Sequence, residues 1–229
     1  VNNLNNARFR ASGFGADNTS AICIGGSLGP AVTANTESWN GTNWTEVNNL
    51  NTAREDSAGA GISTAGLAFG GATPTITAIT EEWNGTNWTE VADLSTARKE
   101  LAGAGTSTNA LAFGGEAPPQ TAATEEWEGA GAPAGVWSTG NNMNTARGTM
   151  GSNGTSTSAI GYGGGAGVAN TETWNGTNWT EVNDLNTGRN QLSGAGTNNT
   201  NALAISGASP GGIKKLNLIT ELTGQKLVT

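Results

Sequence analysis

Five arginines, Arg8, Arg54, Arg98, Arg147 and Arg189, follow one another at intervals of 46, 44, 49 and 42 residues. Five glutamates, Glu37, Glu81, Glu125, Glu172 and Glu221, keep step with them. Two uses fit such a pattern. Guanidinium groups gathered around an opening would hold an anion or a sugar. Alternatively, each guanidinium could face the carboxylate of its own period in a bidentate pair, which is a structural use. Pairing is the simpler reading, because a residue that recurs once per period marks architecture rather than a unique centre.

Other chemistry is restricted by what the chain lacks. It has no histidine, one cysteine (Cys23) and one tyrosine (Tyr162). A Ser-His-Asp arrangement is impossible, and no Cys/His cluster or EF-hand loop offers a metal site. A glycosidase-type carboxylate pair needs only two acids, and the non-repeated Glu116 and Glu128 are its candidates. Most glutamates recur with the period, so we read the chain as non-enzymatic, with no cofactor. Lys and Arg number 10 against 18 Asp and Glu, a formal charge of −8, and the longest basic run is Lys214-Lys215. Nucleic-acid affinity is largely electrostatic, so a phosphate backbone is disfavoured as a partner. No apolar stretch approaches transmembrane length, so membrane insertion is not expected. A lone cysteine permits no intrachain disulfide. The chain opens on Val1 with no basic-then-apolar leader, and reads as trimmed or as an excerpt of something longer.

The elements that must position these residues come from repetition. "WNGTNWTE" is spelled at 39–46, 83–90 and 174–181. Alignment on it gives one domain, 1–229, of five units: 1–46, 47–90, 91–139, 140–181 and 182–229. Each unit begins with "LNTAR" or a variant, continues through a Gly/Ala stretch, and reaches an apolar run ending in Gly-Gly. A variable loop follows, and then "TEEWNGTNWTEV" or its equivalent. Four short strand signals per unit, a to d, are separated by turn residues, with no sustained helical period. Four strands in about 45 residues, five times over, predict an all-β, five-bladed β-propeller with four antiparallel strands per blade. A parallel β-helix is the competitor, but its rungs are much shorter. Unit five is degenerate: Thr220–Thr229 carries Leu222 and Leu227 where other units have tryptophan. Thr229 stops just before the position of a unit-opening valine, and Val1 is such a valine. The ends therefore read as neighbours in a closed ring.

Asn40-Gly41 is a hairpin turn signal, since both residues tolerate positive φ. It folds strands c and d together and puts Trp39 and Trp44 on one face. Trp83 with Trp88, Trp127 with Trp137, and Trp174 with Trp179 repeat the device. We read them as inter-blade core, with sugar-stacking platforms as the alternative. Asn-Gly-Thr and Asn-Trp-Thr also have the form of glycosylation sequons, but turn chemistry already explains them. The "AGAG" stretches at 58–61 and 102–105 suit the crowded innermost strand. Cys23 aligns with Ala68, Ala112 and Ala204, as a buried small residue would.

The pattern resembles the kelch repeat: an arginine after a short loop, a strand ending in Gly-Gly, and two aromatic residues flanking a turn. Arg54, Gly70-Gly71, Trp83 and Trp88 carry the resemblance, with counterparts in units one, three and four. Trp-Asn-Gly replaces the usual Tyr-Asp-Pro turn. The resemblance implies a propeller that binds other proteins, or sugars in some cases. Some kelch-like enzymes are copper-radical oxidases, whose ligands this chain lacks. The Asn/Thr/Gly-rich style is similar to repeats of phage tail and microbial surface proteins, which implies a virion or extracellular setting.

Specificity is expected in what is not repeated. The b–c loops differ in all units: 27–35, 72–79, 116–123, 165–170 and 208–219. Unit three also expands its c–d hairpin over 128–136, on the opposite face. In a propeller the b–c and d–a loops share a face, so the five arginines and the variable loops should lie together. These features point to a recognition or assembly module of a phage or secreted microbial protein, contacting a protein or a surface. The alternative is a multivalent lectin with one glycan pocket per blade.

Overall fold

The structure is a computed structural model and describes residues 2–129 and 135–208. The described chain is all-β, without a helix. Four consecutive units each form a four-stranded antiparallel meander in chain order. Blade one holds β1 (Ser12–Asp17), β2 (Ser20–Ile24), β3 (Thr36–Trp39) and β4 (Trp44–Val47). Blade two holds β5 (Ala58–Ile62), β6 (Ala65–Phe69), β7 (Thr80–Trp83) and β8 (Trp88–Val91). Blade three holds β9 (Ala102–Gly105), β10 (Asn109–Phe113), β11 (Thr124–Glu128) and β12 (Val136–Gly140). Blade four holds β13 (Gly151–Thr155), β14 (Ser158–Tyr162), β15 (Thr171–Trp174) and β16 (Trp179–Glu181).

The fifth unit departs from the expectation of five equal blades. It supplies a two-stranded sheet, β17 (Ser193–Asn198) and β18 (Asn201–Ile205). Its predicted strands c and d fall in 209–229, outside the described residues, as do Val1 and the tip of the expanded hairpin at 130–134. The architecture is therefore propeller-like, with four complete blades.

The innermost strands β1, β5, β9, β13 and β17 pack in succession. Alanine and glycine make that approach possible. A Cβ on Gly103 would stand 2.8 Å from both the Gly59 carbonyl oxygen and the Phe69 ring. The outer hairpins have the opposite composition. Trp39 and Trp44 are direct cross-strand partners, as are Trp83 with Trp88, Trp127 with Trp137, and Trp174 with Trp179. Their turns are pinned locally: the Asn40 Oδ1 accepts from Thr42 and Asn43 backbone N–H groups, while Gly41 takes φ 89°. Asn84 and Asn175 repeat the arrangement.

The two indoles of a pair act differently. The strand-c indoles of Trp39, Trp83, Trp127 and Trp174 each donate at 2.9 Å to a carbonyl in the a–b turn of their own blade. The strand-d indoles reach the preceding blade. Trp137 donates to the Thr80 hydroxyl at 3.1 Å and Trp179 to the Thr124 hydroxyl at 3.0 Å. Their rings pack on Phe69 and Phe113, and Trp88 packs edge-on against Phe14. Phe14 occupies the repeat position of Ala60, and Ile24 that of Phe69, so blade one moves its interface aromatic from strand b to strand a.

Cys23 departs from its expectation. It is half-buried, whereas Ala68, Ala112 and Ala204 are buried. Ala68 packs with Ile22 and Ile24 of the preceding blade. Trp44 is likewise less buried than its counterpart Trp88.

Trp83 is 2% exposed, bonded to its own blade and packed against blade one. Trp83→Ala should lower the unfolding free energy by about 3–5 kcal/mol, the range for deleting a buried large aromatic. Urea unfolding of the purified variant measures it.

Candidate functional site

The loop face begins with the Gly-Gly that ends each strand b. Gly70 has φ 65°, and a Cβ there would stand 2.6 Å from the Arg98 carbonyl oxygen of the next unit. Glycine is required because the next arginine's backbone lies across this turn. Gly26, Gly71, Gly115 and Gly164 donate to the carbonyls of Arg54, Arg98, Arg147 and Arg189 at 2.7–2.9 Å. The same arginines donate their own N–H groups to Thr33, Thr77, Thr121 and Val168 at 3.1–3.3 Å. Each arginine's main chain is thus bound to the blade before its own.

Its side chain turns into its own blade. Arg54 Nη1 lies 2.9 Å from Glu81 Oε1, and Nη2 donates to the Ala68 carbonyl at 3.2 Å. Arg98 pairs with Glu125 at 3.1 Å and Arg147 with Glu172 at 3.1 Å. Arg8 pairs with Glu37 in the same way. These side chains are essentially inaccessible to water. Burial pulls the guanidinium pKa of Arg54, Arg98 and Arg147 down, and the facing glutamates oppose that shift. Arg189 is also buried, but its counterpart Glu221 lies outside the described residues. Four guanidinium groups are thus paired with glutamates and closed inside their own blades.

The glutamates are held by more than arginine. Glu81 Oε2 accepts from the Asn51 backbone N–H at 2.7 Å and side chain at 2.8 Å, and Oε1 accepts from Thr52 at 3.2 Å. Asn5 and Asn144 serve Glu37 and Glu172 likewise. In blade three Ser95 takes this place and gives only its backbone bond, 2.6 Å to Glu125. Sequence reasoning missed these residues, although their signal was the asparagine of the recurring "LNTAR".

A second device lies two residues past each arginine. Arg10, Asp56, Glu100, Thr149 and Gln191 all adopt left-handed φ of 52–56°. Asp56 donates its N–H to the Arg10 carbonyl, Glu100 to Asp56, Thr149 to Glu100 and Gln191 to Thr149, at 2.8–3.1 Å. One backbone bond therefore links each described blade to the next. Non-glycine residues in this conformation carry strain of order 1–3 kcal/mol each, which the packed surroundings hold in place.

Side chains of this girdle form a charged group with their neighbours. Arg10 lies 2.8 Å from Glu55 and 3.8 Å from Asp56, and Lys99 lies 3.4 Å from Glu116. Burial, aided by Glu100 and Glu55 and opposed by Arg10 and Lys99, pushes the Asp56 carboxyl up to about 6. Among the described residues no group of three or more His, Cys, Asp or Glu is placed to hold a metal.

The variable loops stand on fixed stems beside these arginines. Gly25, Gly70, Gly114 and Gly163 donate across the loop base to Asn35, Ile79, Ala123 and Asn170 at 2.9–3.0 Å. Single bridges tie Phe9 to Ser27, Glu55 to Ala72, Lys99 to Glu116 and Asn190 to Ala208. The d–a and b–c loops of a unit therefore share a face. Beyond the stems the loops differ, and blade one exposes Phe9 and Leu28 there, each about half accessible. No protein-family model matches this chain, and no curated protein matches it. Fold and geometry define it as a propeller-like repeat protein.

Two outcomes follow. Removing one member of a buried ion pair costs about 3–5 kcal/mol, whereas replacing both by apolar residues can be nearly neutral. Blade three, where Glu125 has the fewest other bonds, is the clearest test. Arg98→Met should lose about 3 kcal/mol in urea unfolding, and adding Glu125→Leu should recover much of it. Asp56 ionises at about 6 when folded and near 4 when unfolded. A raised carboxyl contributes stability that is full below pH ~4 and lost as pH rises through ~6. Asp56→Asn should therefore raise stability at pH 7 by on the order of 2 kcal/mol relative to its effect at pH 3.5. Equal gains at both pH values would point to backbone preference instead.

Proposed function

We propose that this chain is a five-bladed, kelch-like propeller acting as a non-enzymatic recognition or assembly module. Its working face carries the b–c and d–a loops, and its partner is a protein or a glycan at a surface. The sequence style supports a phage or secreted microbial source, and hence a virion or extracellular setting. One observation carries the reading: loops of unlike sequence rise from hydrogen-bonded stems of one geometry. Variable loops on a rigid scaffold are where specificity usually resides. Net negative charge and scarce cations favour neutral or basic partners over a phosphate backbone.

A multivalent lectin is the alternative. Like pockets in every blade would need like loops, and stacking platforms would need accessible indoles. The loops differ, and most of the tryptophans are buried. Both facts favour one composite surface over repeated glycan pockets.

A glycan array separates the two readings. The composite-surface reading expects silence across the array, and strong multivalent signal would favour the lectin. Cross-linking the parent particle or secretion through Lys99, on the loop face, should yield linkages to another protein. Exchanging loops 72–79 and 116–123 should preserve the melting temperature and abolish those linkages. Linkages that survive the exchange would overturn the assignment of the working face.

A further inference from the structure

Blade one carries two large apolar side chains on the loop face, Phe9 and Leu28, each about half exposed. The repeat does not require them there. The bridges that tie Phe9 to Ser27, Glu55 to Ala72, Lys99 to Glu116 and Asn190 to Ala208 make Glu55, Lys99 and Asn190 the counterparts of Phe9. By the same bridges Thr73 and Ala117 are counterparts of Leu28. A large apolar group left in water at a position that is polar or small elsewhere is not architecture. The other exposed large apolar residues among those described lie apart from this pair. Ile62 ends an inner strand and Val136 opens the outer strand of blade three, both at the opposite face, and Val182 follows the outermost strand of blade four.

The pair stands on a fixed frame. Phe9 donates its N–H to the Ser27 carbonyl at 3.1 Å and accepts from the Ser27 N–H at 2.8 Å. Leu28 donates to the Ala31 carbonyl at 3.0 Å, and the Ser27 hydroxyl donates to the Gly29 carbonyl at 3.1 Å. A surface ordered before binding lowers the entropic cost of association. The guanidinium carbon of Arg10 lies 5.7 Å from the centre of the Phe9 ring, a cation–π arrangement, and Glu55 holds the same guanidinium at 2.8 Å. Aromatic residues and arginine are enriched at protein interfaces.

Charge beside the pair selects the partner. Arg10 contacts Glu55 and Asp56, the Asp56 carbonyl accepts from the Glu100 N–H at 2.8 Å, and Lys99 lies 3.9 Å from Glu100 and 3.4 Å from Glu116. Two cations therefore face four carboxyl groups, all of them partly exposed, and the ground next to the apolar pair is net negative. An acidic partner would meet like charge there, which costs affinity, whereas a basic one is complementary.

We infer that Phe9 and Leu28 anchor a basic protein segment: a large apolar side chain of the partner packs on them, and a neighbouring lysine or arginine lies toward the carboxylates of blades two and three. This rests on the loop face being the working face, and adds where on it the partner is held and what chemistry the partner has.

A random-peptide library displayed on phage and panned against the full chain tests it. Enriched peptides should place a large apolar residue within a few positions of lysine or arginine. A synthetic consensus peptide should bind Phe9→Ser/Leu28→Ser about tenfold or more weakly than the unaltered chain. It should bind Glu100→Gln/Glu116→Gln several-fold more weakly, and Ile62→Ser, on the opposite face, without change. An acidic consensus, or none that joins an apolar to a basic residue, would overturn the inference. Unchanged binding to Phe9→Ser/Leu28→Ser would also overturn it. If exchange of loops 72–79 and 116–123 still abolishes that binding, the working face stands and only the anchor falls; binding indifferent to both changes removes both. Should the double variant melt below the unaltered chain, Leu28→Lys decides, because it sets a cation where the basic segment docks. It should weaken binding about tenfold, and unchanged affinity would overturn the inference. Self-association of the unaltered chain that is lost in the double variant would make a second copy the occupant and overturn the assignment to a basic segment.

Discussion

A carboxylate on the third strand of every complete blade is buried where water cannot reach it. Everything around it answers that constraint. A buried charge must be paired and hydrogen-bonded or it destabilises the fold. In blades two to four the pairing arginine arrives from a loop whose main chain is bonded to the preceding blade. The arginine is therefore a connector: its backbone belongs to one blade and its charge to the next. The asparagine three residues earlier completes the same carboxylate in blades one, two and four, which fixes the loop's path. The Gly-Gly turn is the space through which this connector passes.

The wedge shape of a blade follows from composition on either side of that connector. Alanine and glycine on β5, β9 and β13 let inner strands approach closely, while paired indoles on the outer hairpins fill the wider gap. The two effects reinforce each other, since small residues inside and large ones outside curve a stack of sheets about an axis. The backbone girdle at Asp56, Glu100, Thr149 and Gln191 adds a polar seam at the inner end. With blades fixed at the seam, the buried pair and the indoles, the b–c loops are free to vary without loss of fold.

Much of this was legible in the sequence because the determinants are side chains that repeat. The Asn-Gly turns, the facing tryptophans and the inner Gly/Ala strands each have a mechanism written in residue type. The Arg–Glu partnership was legible for the same reason, as one of two readings. The girdle was not, because its bonds are between backbone groups and its residues, from Arg10 to Gln191, share no side-chain chemistry. The exchange of Phe14 for the strand-b aromatic hid the interface of blade one, since compensation between adjacent strands breaks the alignment that reveals repeats. Cys23 followed its aligned alanines in sequence but not in burial, since alignment reports residue size at a position and not what packs over it. The ligand-facing loops are illegible for a related reason: what does not repeat offers no internal comparison.

Each of these arginine connectors binds neighbouring blades as firmly as strands bind within one. Native-state hydrogen exchange of the Gly26, Gly71, Gly115 and Gly164 amides measures this directly, since each donates to an arginine carbonyl of the following unit. These amides should exchange at the rate of the central strands, with protection falling away only with global unfolding as denaturant is added. Exchange at loop-like rates independent of denaturant would show instead that the blades part locally at the connector, so that the arginines do not hold them together.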